Sequence, residues 1–235
     1  PCSIADYGRD LYAKTESGIF GAVTIEDCVA FGNGFNIDGT ATYGNGNGFK
    51  MGGESLSGKH SISNSVSFGN KLKGIDSNSC PDIIVKNCTS VYNGKYNYAF
   101  YSTKATSFDV QNVISFLGGA TDDVPDQSEP NVVLKNEGNY FNYKAETGAY
   151  TENSVGTKIT PSNTFVEWSD DFMTQFGFVM NMTSNTITQG NFEAIIAKLT
   201  VRNADDSINL GNFLKLKDDA FTSGARLTPI PGTVW

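Results

Sequence analysis

The sequence predicts an all-β protein built as a parallel β-helix, and three observations support this prediction. The chain has 235 residues, which is enough for one large domain with its own hydrophobic core. Its 25 glycines and 23 asparagines are unusually many, while 16 phenylalanines and 10 tyrosines argue against a disordered chain. Similar segments recur at spacings of 37, 23 and 25 residues. Twenty-odd residues per turn of short strands are typical of a parallel β-helix.

Four segments that align without gaps define the coils: residues 23–31, 60–68, 83–91 and 108–116. Each segment reads as two short strands with alternating apolar residues, bent at a residue that tolerates unusual backbone angles. Strands spaced about 4.8 Å apart would stack the bend residues into an internal polar ladder. The predicted ladder consists of Asp27, Asn64, Asn87 and Asn112. The same register predicts an apolar column of Phe31, Phe68, Val91 and Phe116.

A third column contains small residues and two of the four cysteines: Cys28, Ser65, Cys88 and Val113. Two coils separate Cys28 from Cys88, a distance of about 9.6 Å that is too long for a disulfide. We therefore expect buried free thiols. Asn87 begins a glycosylation sequon, but its predicted inward orientation argues against a sugar there. His60 is the single histidine, which argues against histidine-based catalysis, and we expect it at a turn or on the surface.

The repeats weaken after about residue 120, so the chain divides into two regions. Residues 1–145 are predicted to form the β-helix coils, and residues 146–235 a C-terminal extension that packs on or caps them. Residues 132–143 are interpreted as one more irregular coil. A short helix is predicted at residues 192–199, where apolar residues recur on one face. Residues 210–216 are predicted to pack back against the β-helix.

The charge pattern excludes two classes of partner. Only 18% of the residues are charged and the net charge is −8, so the chain lacks the basic surface that nucleic acid or an anionic membrane requires. No apolar run reaches the roughly 18 residues of a membrane span. Because the chain begins at Pro1 without a leader pattern, we expect a processed or truncated product.

A fourth set of segments brings charged residues into register. Residues 8–11, 48–51, 74–77 and 98–101 align, which predicts Asp10, Lys50 and Asp76 in one column on the outer face. A long Gly/Asn-rich loop, residues 36–48, is inserted directly before Lys50 and is predicted to form the wall of a binding groove. The alternative is that these charges are ordinary solvated surface residues.

Three strings carry a resemblance to a known family: residues 44–53, 65–76 and 87–98. They resemble the catalytic half of the family nine polysaccharide lyases, which are right-handed parallel β-helix pectate lyases and related rhamnogalacturonan lyases. The resemblance covers roughly residues 1 to 120. It implies that Lys50 is the catalytic base and that Asp6 and Asp10 bind Ca²⁺. It also implies substrate contacts from Lys73, Asp76, Asn78 and Tyr101.

The resemblance further implies an acidic plant cell-wall polysaccharide, pectin, as the partner, and a secreted or cell-surface location. The first half of the family's β-helix would lie upstream of Pro1, so a separate N-terminal segment is a second possible partner. Homogalacturonan and rhamnogalacturonan remain open as substrates.

The implied chemistry is β-elimination, in which a base removes the uronate C5 proton and the O4 glycosidic oxygen leaves. An ordinary lysine, with a pKa of about 10.4, is protonated at neutral pH. A neighbouring Ca²⁺ would lower that pKa and neutralise the uronate carboxylate.

Two alternatives to a lyase remain open. Tyr7 stands where the family has a second aspartate, which favours a non-catalytic polysaccharide-binding or cell-surface protein. A glycoside hydrolase or epimerase on the same scaffold is the other. A hydrolase needs paired carboxylates across a cleft, and Asp10 and Asp76 with a lysine between them suit that role poorly.

Overall fold

A computed structural model describes residues 22–36, 38–53, 55–101, 106–124, 132–141, 151–152, 157–166, 180–181, 186–187, 197, 204, 212–217 and 224–225. Two of the predicted site residues, Asp6 and Asp10, lie outside these residues. The helix predicted at residues 192–199 also lies outside them, apart from Ala197.

The described residues form sixteen short strands and one short helix. In chain order the strands are β1 (Thr24–Glu26), β2 (Val29–Phe31), β3 (Phe49–Lys50), β4 (Ser61–Ser63), β5 (Val66–Phe68), β6 (Ile75–Asp76), β7 (Ile84–Lys86), β8 (Thr89–Val91), β9 (Tyr98–Ala99), β10 (Thr106–Gln111), β11 (Ile114–Phe116), β12 (Val132–Glu137), β13 (Thr151–Glu152), β14 (Lys158–Ile159), β15 (Met180–Asn181) and β16 (Thr186–Ile187). The helix α1 (Pro161–Thr164) is capped by the side chain of Thr160.

Strands β1 to β12 belong to three parallel sheets. The first sheet has the order β1-β4-β7-β10-β12, the second β2-β5-β8-β11 and the third β3-β6-β9. Each of the first three described coils contributes one strand to each sheet, and the coil of β10 and β11 contributes to the first two. This arrangement confirms the predicted all-β parallel β-helix. The two remaining strand pairs, β13-β14 and β15-β16, are antiparallel. No helix among the described residues is both long and apolar enough to cross a membrane.

The first and third sheets enclose a hydrophobic core inside the coils. The first sheet contributes an inward column in register: Ile25, Ile62, Val85 and Val110. The third sheet contributes Phe49, Ile75 and Tyr98, which are also in register, and both columns belong to one buried cluster. The alignment of residues 98–101 was therefore wrong by one residue, because Tyr98 pairs with Ile75 rather than with Gly74. The large ring fills the apolar column, and Asn97 takes the position of the glycine.

The second sheet is covered on both faces. Its outer face carries the predicted apolar column of Phe31, Phe68, Val91 and Phe116, whose register is confirmed. Segments of the C-terminal extension cover that face, and the rings of Phe68 and Phe213 lie 4.8 Å apart. Leu214 and Leu216 belong to the same cluster, so residues 210–216 pack on the β-helix where they are described. The division of the chain at residue 145 stays a prediction.

A buried asparagine ladder lies in the turns that follow the second sheet, and it is formed by other residues than predicted. Asn70 Oδ1 accepts hydrogen bonds from the backbone N–H and the side-chain amide of Asn33, at 3.1 and 2.8 Å. Asn93 Oδ1 accepts the same pair from Asn70, and Asn97 Oδ1 accepts them from Asn93. All four asparagines are buried. The ladder therefore runs along the inside of the turns that follow the second sheet.

The predicted ladder of bend residues was placed on the wrong side. Asp27, Asn64, Asn87 and Asn112 all have φ between 44° and 55°. None of them is buried, and Asn87 is exposed. They occupy the corner between the first two sheets, where the left-handed backbone is favoured by Asn and Asp. Asn64 Nδ2 donates to Asp27 Oδ1 at 2.6 Å, so these two residues do stack as predicted, but outside the buried core. The predicted reason against a sugar on Asn87 is therefore wrong as well.

The predictions for the cysteines and for His60 have different outcomes in the structure. Cys28 and Cys88 are not joined by a disulfide, as predicted. Cys88 and Cys80 are buried, whereas Cys28 is half-buried, so the burial predicted for Cys28 is wrong. The surface position expected for His60 is wrong, because its side chain is buried and its Nδ1 accepts a hydrogen bond of 3.0 Å from the backbone N–H of Val23. The histidine thus ties the chain that enters β1 to the following coil.

Candidate active site

The candidate site lies at the end of the third sheet, where β3 and β6 bring Lys50 and Asp76 side by side as paired residues. Each strand is preceded by a glycine, Gly48 or Gly74. A Cβ atom on Gly74 would lie 2.1 Å from Ser90 Oγ, and one on Gly48 would lie 2.3 Å from Ser67 Oγ. Because these serine hydroxyls already fill the space that a Cβ atom would need, only glycine allows the two strands to come this close to the serines. The sequence thus fixes where the two charged residues emerge.

Asp76 is the centre of the site, and it is buried rather than on the solvated outer face. One carboxylate oxygen accepts hydrogen bonds from Lys73 Nζ at 3.1 Å and from the backbone N–H of Asn78 at 3.0 Å. The other accepts a hydrogen bond from the side-chain amide of Asn47 at 2.7 Å. The side chain is only 1% exposed, so these donors replace the water that a carboxylate normally holds.

The electrostatics of Asp76 and Lys73 follow from this burial. Burial raises the pKa of Asp76 above its usual value, while the Lys73 ammonium, the Asn78 N–H and the charge of Lys50 act in the opposite direction. Burial also acts to lower the pKa of Lys73, but the Asp76 carboxylate and Tyr101 outweigh it and raise that pKa. Lys73 is therefore held as an ammonium ion at neutral pH.

Tyr101 and Asn78 complete the surroundings of Lys73 and Asp76. The Tyr101 hydroxyl accepts a hydrogen bond from Lys73 Nζ at 3.3 Å, and the ammonium lies 4.4 Å from the centre of the Tyr101 ring. The Tyr101 backbone is held at both its N–H and its carbonyl by Ser77 Oγ, each at 2.9 Å. Asn78 donates its side-chain amide to the carbonyl of Gly52, just beyond β3.

Lys50 is the one lysine of this cluster whose ammonium carries no hydrogen bond or ion pair to another described residue. It is half-buried, and its charge acts on Asp76 from the neighbouring coil. The structure thus brings together five of the seven predicted site residues: Lys50, Lys73, Asp76, Asn78 and Tyr101.

Asn47 is a residue of the cluster that the sequence analysis missed. It is nine-tenths buried, and its Oδ1 has no hydrogen-bond partner among the described residues. Its amide orientation is fixed by Asp76, because the opposite orientation would set two oxygens against each other. A signal was available: Asn47-Gly48-Phe49 repeats the pattern of Lys73-Gly74-Ile75 on the next coil. Both residues that precede the glycines donate to Asp76.

The same described residues do not by themselves offer the ligands of a metal site. The described part of the chain contains no group of three His, Cys, Asp or Glu side chains that could hold a metal ion. Both oxygens of Asp76 are engaged by hydrogen-bond donors, whereas Asn47 Oδ1 is a buried oxygen with no hydrogen-bond partner among the described residues. Asp6 and Asp10 offer the carboxylate oxygens that Ca²⁺ prefers, and they lie outside the described residues.

Comparisons with known proteins agree with the sequence resemblance. Residues 2–112 match the family described as the Pel9A-like, right-handed β-helix region. A protein of Paenibacillus polymyxa (strain SC2) named pectate lyase L is 36% identical over 215 residues, which cover 90% of this chain and 38% of that protein. A pectate lyase L of Thermoclostridium stercorarium is 36% identical over 164 residues, covering 69% of this chain and 12% of the relative.

A solved structure shares the fold. The crystal structure of pectate lyase Pel9A matches with a TM-score of 0.51 and 26% identity, covering 85% of this chain and 39% of that one. The chain therefore spans less than two fifths of the length of the first two relatives.

Proposed function

Residues 2–112 belong to the Pel9A-like family of right-handed β-helices, and we propose that this chain carries the elimination site of a pectate lyase-type polysaccharide lyase. The observation that carries the proposal is the contrast between two lysines on neighbouring coils. Lys73 is paired with Asp76, whereas Lys50 has no hydrogen-bond partner among the described residues. An amino group that accepts a proton from the substrate must not be committed to a carboxylate, so Lys50 is the base of the proposal.

In the proposed reaction, the unprotonated Nζ of Lys50 takes the C5 proton of a uronate residue. The electron pair left on C5 forms the C4–C5 double bond. The bond from C4 to the glycosidic oxygen breaks, and the oxygen leaves with the bonding pair and takes a proton from water. The products are a new chain end and an unsaturated uronate. Asp76 is not the base, because its carboxylate is buried and engaged by Lys73, Asn47 and the Asn78 N–H.

The other members of the cluster bind and orient the substrate in this proposal. Lys73 is an ammonium at neutral pH, and it suits the carboxylate of a uronate. Tyr101 and Asn78 border that ammonium and offer polar groups to the sugar hydroxyls. Asp76 is a positioning residue, since it holds Lys73 and Asn47 in place without reaching the surface.

The proposal includes Ca²⁺ because the chain has carboxylates of the kind that bind this ion. Asp6 and Asp10 would hold Ca²⁺ through carboxylate oxygens. When bound, the ion would neutralise the uronate carboxylate and so make the C5 proton more acidic. The substrate is a uronate-containing pectic polysaccharide, and we expect the protein to meet it outside the cell. De-esterified homogalacturonan is the first substrate to test, because the relatives are named pectate lyases.

The test is the ultraviolet absorbance of the unsaturated product. Lys50→Ala should lower kcat on de-esterified homogalacturonan by about 10²- to 10⁴-fold, the range that general-base groups contribute. Lys50→Arg should fail similarly near neutral pH, since a guanidinium does not deprotonate. Chelation should abolish product formation, and added Ca²⁺ should restore it.

The matched control is Lys86→Ala. Lys86 forms an ion pair with Asp109 on the first sheet, away from the cluster, and its loss should leave kcat unchanged. If Lys50→Ala keeps the wild-type rate, the proposed base is wrong. If the wild-type chain binds homogalacturonan and rhamnogalacturonan but forms no unsaturated product, the protein is a non-catalytic polysaccharide-binding module on this scaffold.

A further inference from the structure

The inserted loop before Lys50, residues 36–48, is ordered by hydrogen bonds within the loop and to the residues just before it. Phe35 and Ala41 form an antiparallel bridge, and the Thr42 N–H donates to the Gly34 carbonyl at 2.8 Å. The Asn36 N–H donates to the Thr40 carbonyl at 2.8 Å, which closes the turn between them. At its far end the loop returns to the cluster through Asn47, which donates to Asp76.

Lys71 fixes the tip of this loop from the next coil. Its Nζ donates to the carbonyl of Thr42 and, at 3.0 Å, to the carbonyl of Gly44. These two carbonyls flank Tyr43 in the chain, so one ammonium holds the backbone on both sides of that residue. An ammonium has three N–H donors, and the third is not used by any described residue. Lys71 precedes Lys73 by two residues, which places their Cα atoms within about 7 Å.

Tyr43 is the most exposed of the large hydrophobic residues in the described part of the chain, with its side chain fully in solvent at 109%. A tyrosine on a structured loop normally gains stability by covering apolar surface, and this ring covers none. Its backbone is nevertheless held by Lys71 and by the hairpin. The ring is thus presented at a fixed place beside an ammonium that retains one free N–H.

We propose that Tyr43 and Lys71 form a second sugar-binding subsite that takes a uronate residue of the polysaccharide next to the residue that reacts. The flat ring stacks on the apolar C–H face of the pyranose, and the third N–H of Lys71 binds the uronate carboxylate. A ring-plus-ammonium pair selects an acidic sugar over a neutral one, because a neutral pyranose satisfies the ring alone. This inference rests on the proposed function for the identity of the polymer.

The experiment is affinity electrophoresis of the full chain in gels that contain polygalacturonate or, in parallel, neutral galactan, with Ca²⁺ present. Lys50→Ala is the background, so that binding is read without the proposed turnover. Adding Tyr43→Ala should weaken retention by polygalacturonate about two- to tenfold, as expected for the loss of one aromatic contact. Tyr43→Phe should bind as tightly as the background. Lys71→Met removes both the ammonium and its hold on the Tyr43 backbone, so it should weaken retention by polygalacturonate more than retention by galactan; an equal effect on both polymers would overturn the role of the ammonium.

Val166→Ala is the matched control, because Val166 is an exposed apolar residue on the C-terminal extension. Three results would overturn the proposal: equal retention of the background and Tyr43→Ala, loss of binding in Tyr43→Phe, or no retention of the background itself. A separate failure, in which the wild-type chain forms no unsaturated product, would count against the elimination reaction. In that case the binding of the Tyr43 variants would still test the proposed subsite.

Discussion

The asparagine ladder should contribute a large share of the stability of the coils, and Asn70 is the position at which to test this. Asn70 is fully buried at the centre of the ladder. Its Oδ1 accepts both the backbone N–H and the side-chain amide of Asn33. Its Nδ2 donates to Asn93 Oδ1 and Ser67 Oγ, at 2.8 and 2.9 Å. Asn70→Ala removes all of these contacts at once.

The expected loss can be worked from the groups left without partners. Two buried donors of Asn33 would lose their acceptor, and an unsatisfied buried donor costs about 1–3 kcal/mol. The acceptors that lose Nδ2 cost less, because Asn93 Oδ1 keeps the Asn70 N–H. The free energy of unfolding should therefore fall by about 2–6 kcal/mol. That is a substantial part of the roughly 5–15 kcal/mol that stabilises a typical domain.

The assay is urea unfolding followed by far-ultraviolet circular dichroism, with the midpoint compared at equal slope. Asn87→Gly is the matched control, because Asn87 is exposed and has a φ of 50° that glycine adopts freely. It should change the free energy of unfolding by less than about 1 kcal/mol. A loss below about 1 kcal/mol for Asn70→Ala would refute the ladder as a stabilising element.

Two further predictions concern buried groups. Burial lowers the pKa of His60 despite the nearby Asp82 carboxylate, whereas a histidine in the unfolded chain has a pKa of about 6.5. The unfolded state therefore binds more protons below about pH 6.5, and the free energy of unfolding should fall there as the pH falls. His60→Asn should lose this component, so parallel pH profiles for the two proteins would contradict it. Burial raises the pKa of Cys88 to about 12, so its thiol should resist Ellman's reagent until the protein unfolds. Cys88→Ser should leave the number of fast-reacting thiols unchanged; one fewer would disprove the burial.

The coil register was predictable from the sequence because it depends on short apolar alternations and on bend residues, both of which are local. The face on which each asparagine lies was not. Asn70 and Asn64 have the same chemistry, and only the backbone decides that the first is buried and the second, with a φ of 44°, stands at an outer corner. A signal for the true ladder existed in the Phe-Gly-Asn strings that end at Asn33 and Asn70. These strings predict the ladder only when the strands of the second sheet are known to end just before the two asparagines.

The sequence predicted which residue types form the candidate site, but it did not predict the electrostatics of the site. The sequence placed Lys50 and Asp76 in one column, whereas the burial of Asp76 and its bonds to Lys73 and Asn47 depend on contacts between coils. The exposed ring of Tyr43 could not be predicted either, because exposure at a loop tip depends on which side chain holds the loop.

The net charge of the chain is −8, and a charge of this sign should repel a polyanionic substrate. That sum ignores where the charges lie. The coils bring Lys71 and Lys73 to the inserted loop and to the residues around Asp76, which is buried and whose charge is compensated by Lys73. A cleft with one sign of charge attracts its ligand even when the whole protein carries the opposite sign, and the attraction weakens as salt screens it. The net charge of −8 therefore does not argue against a polyuronate that binds at Lys71 and Lys73.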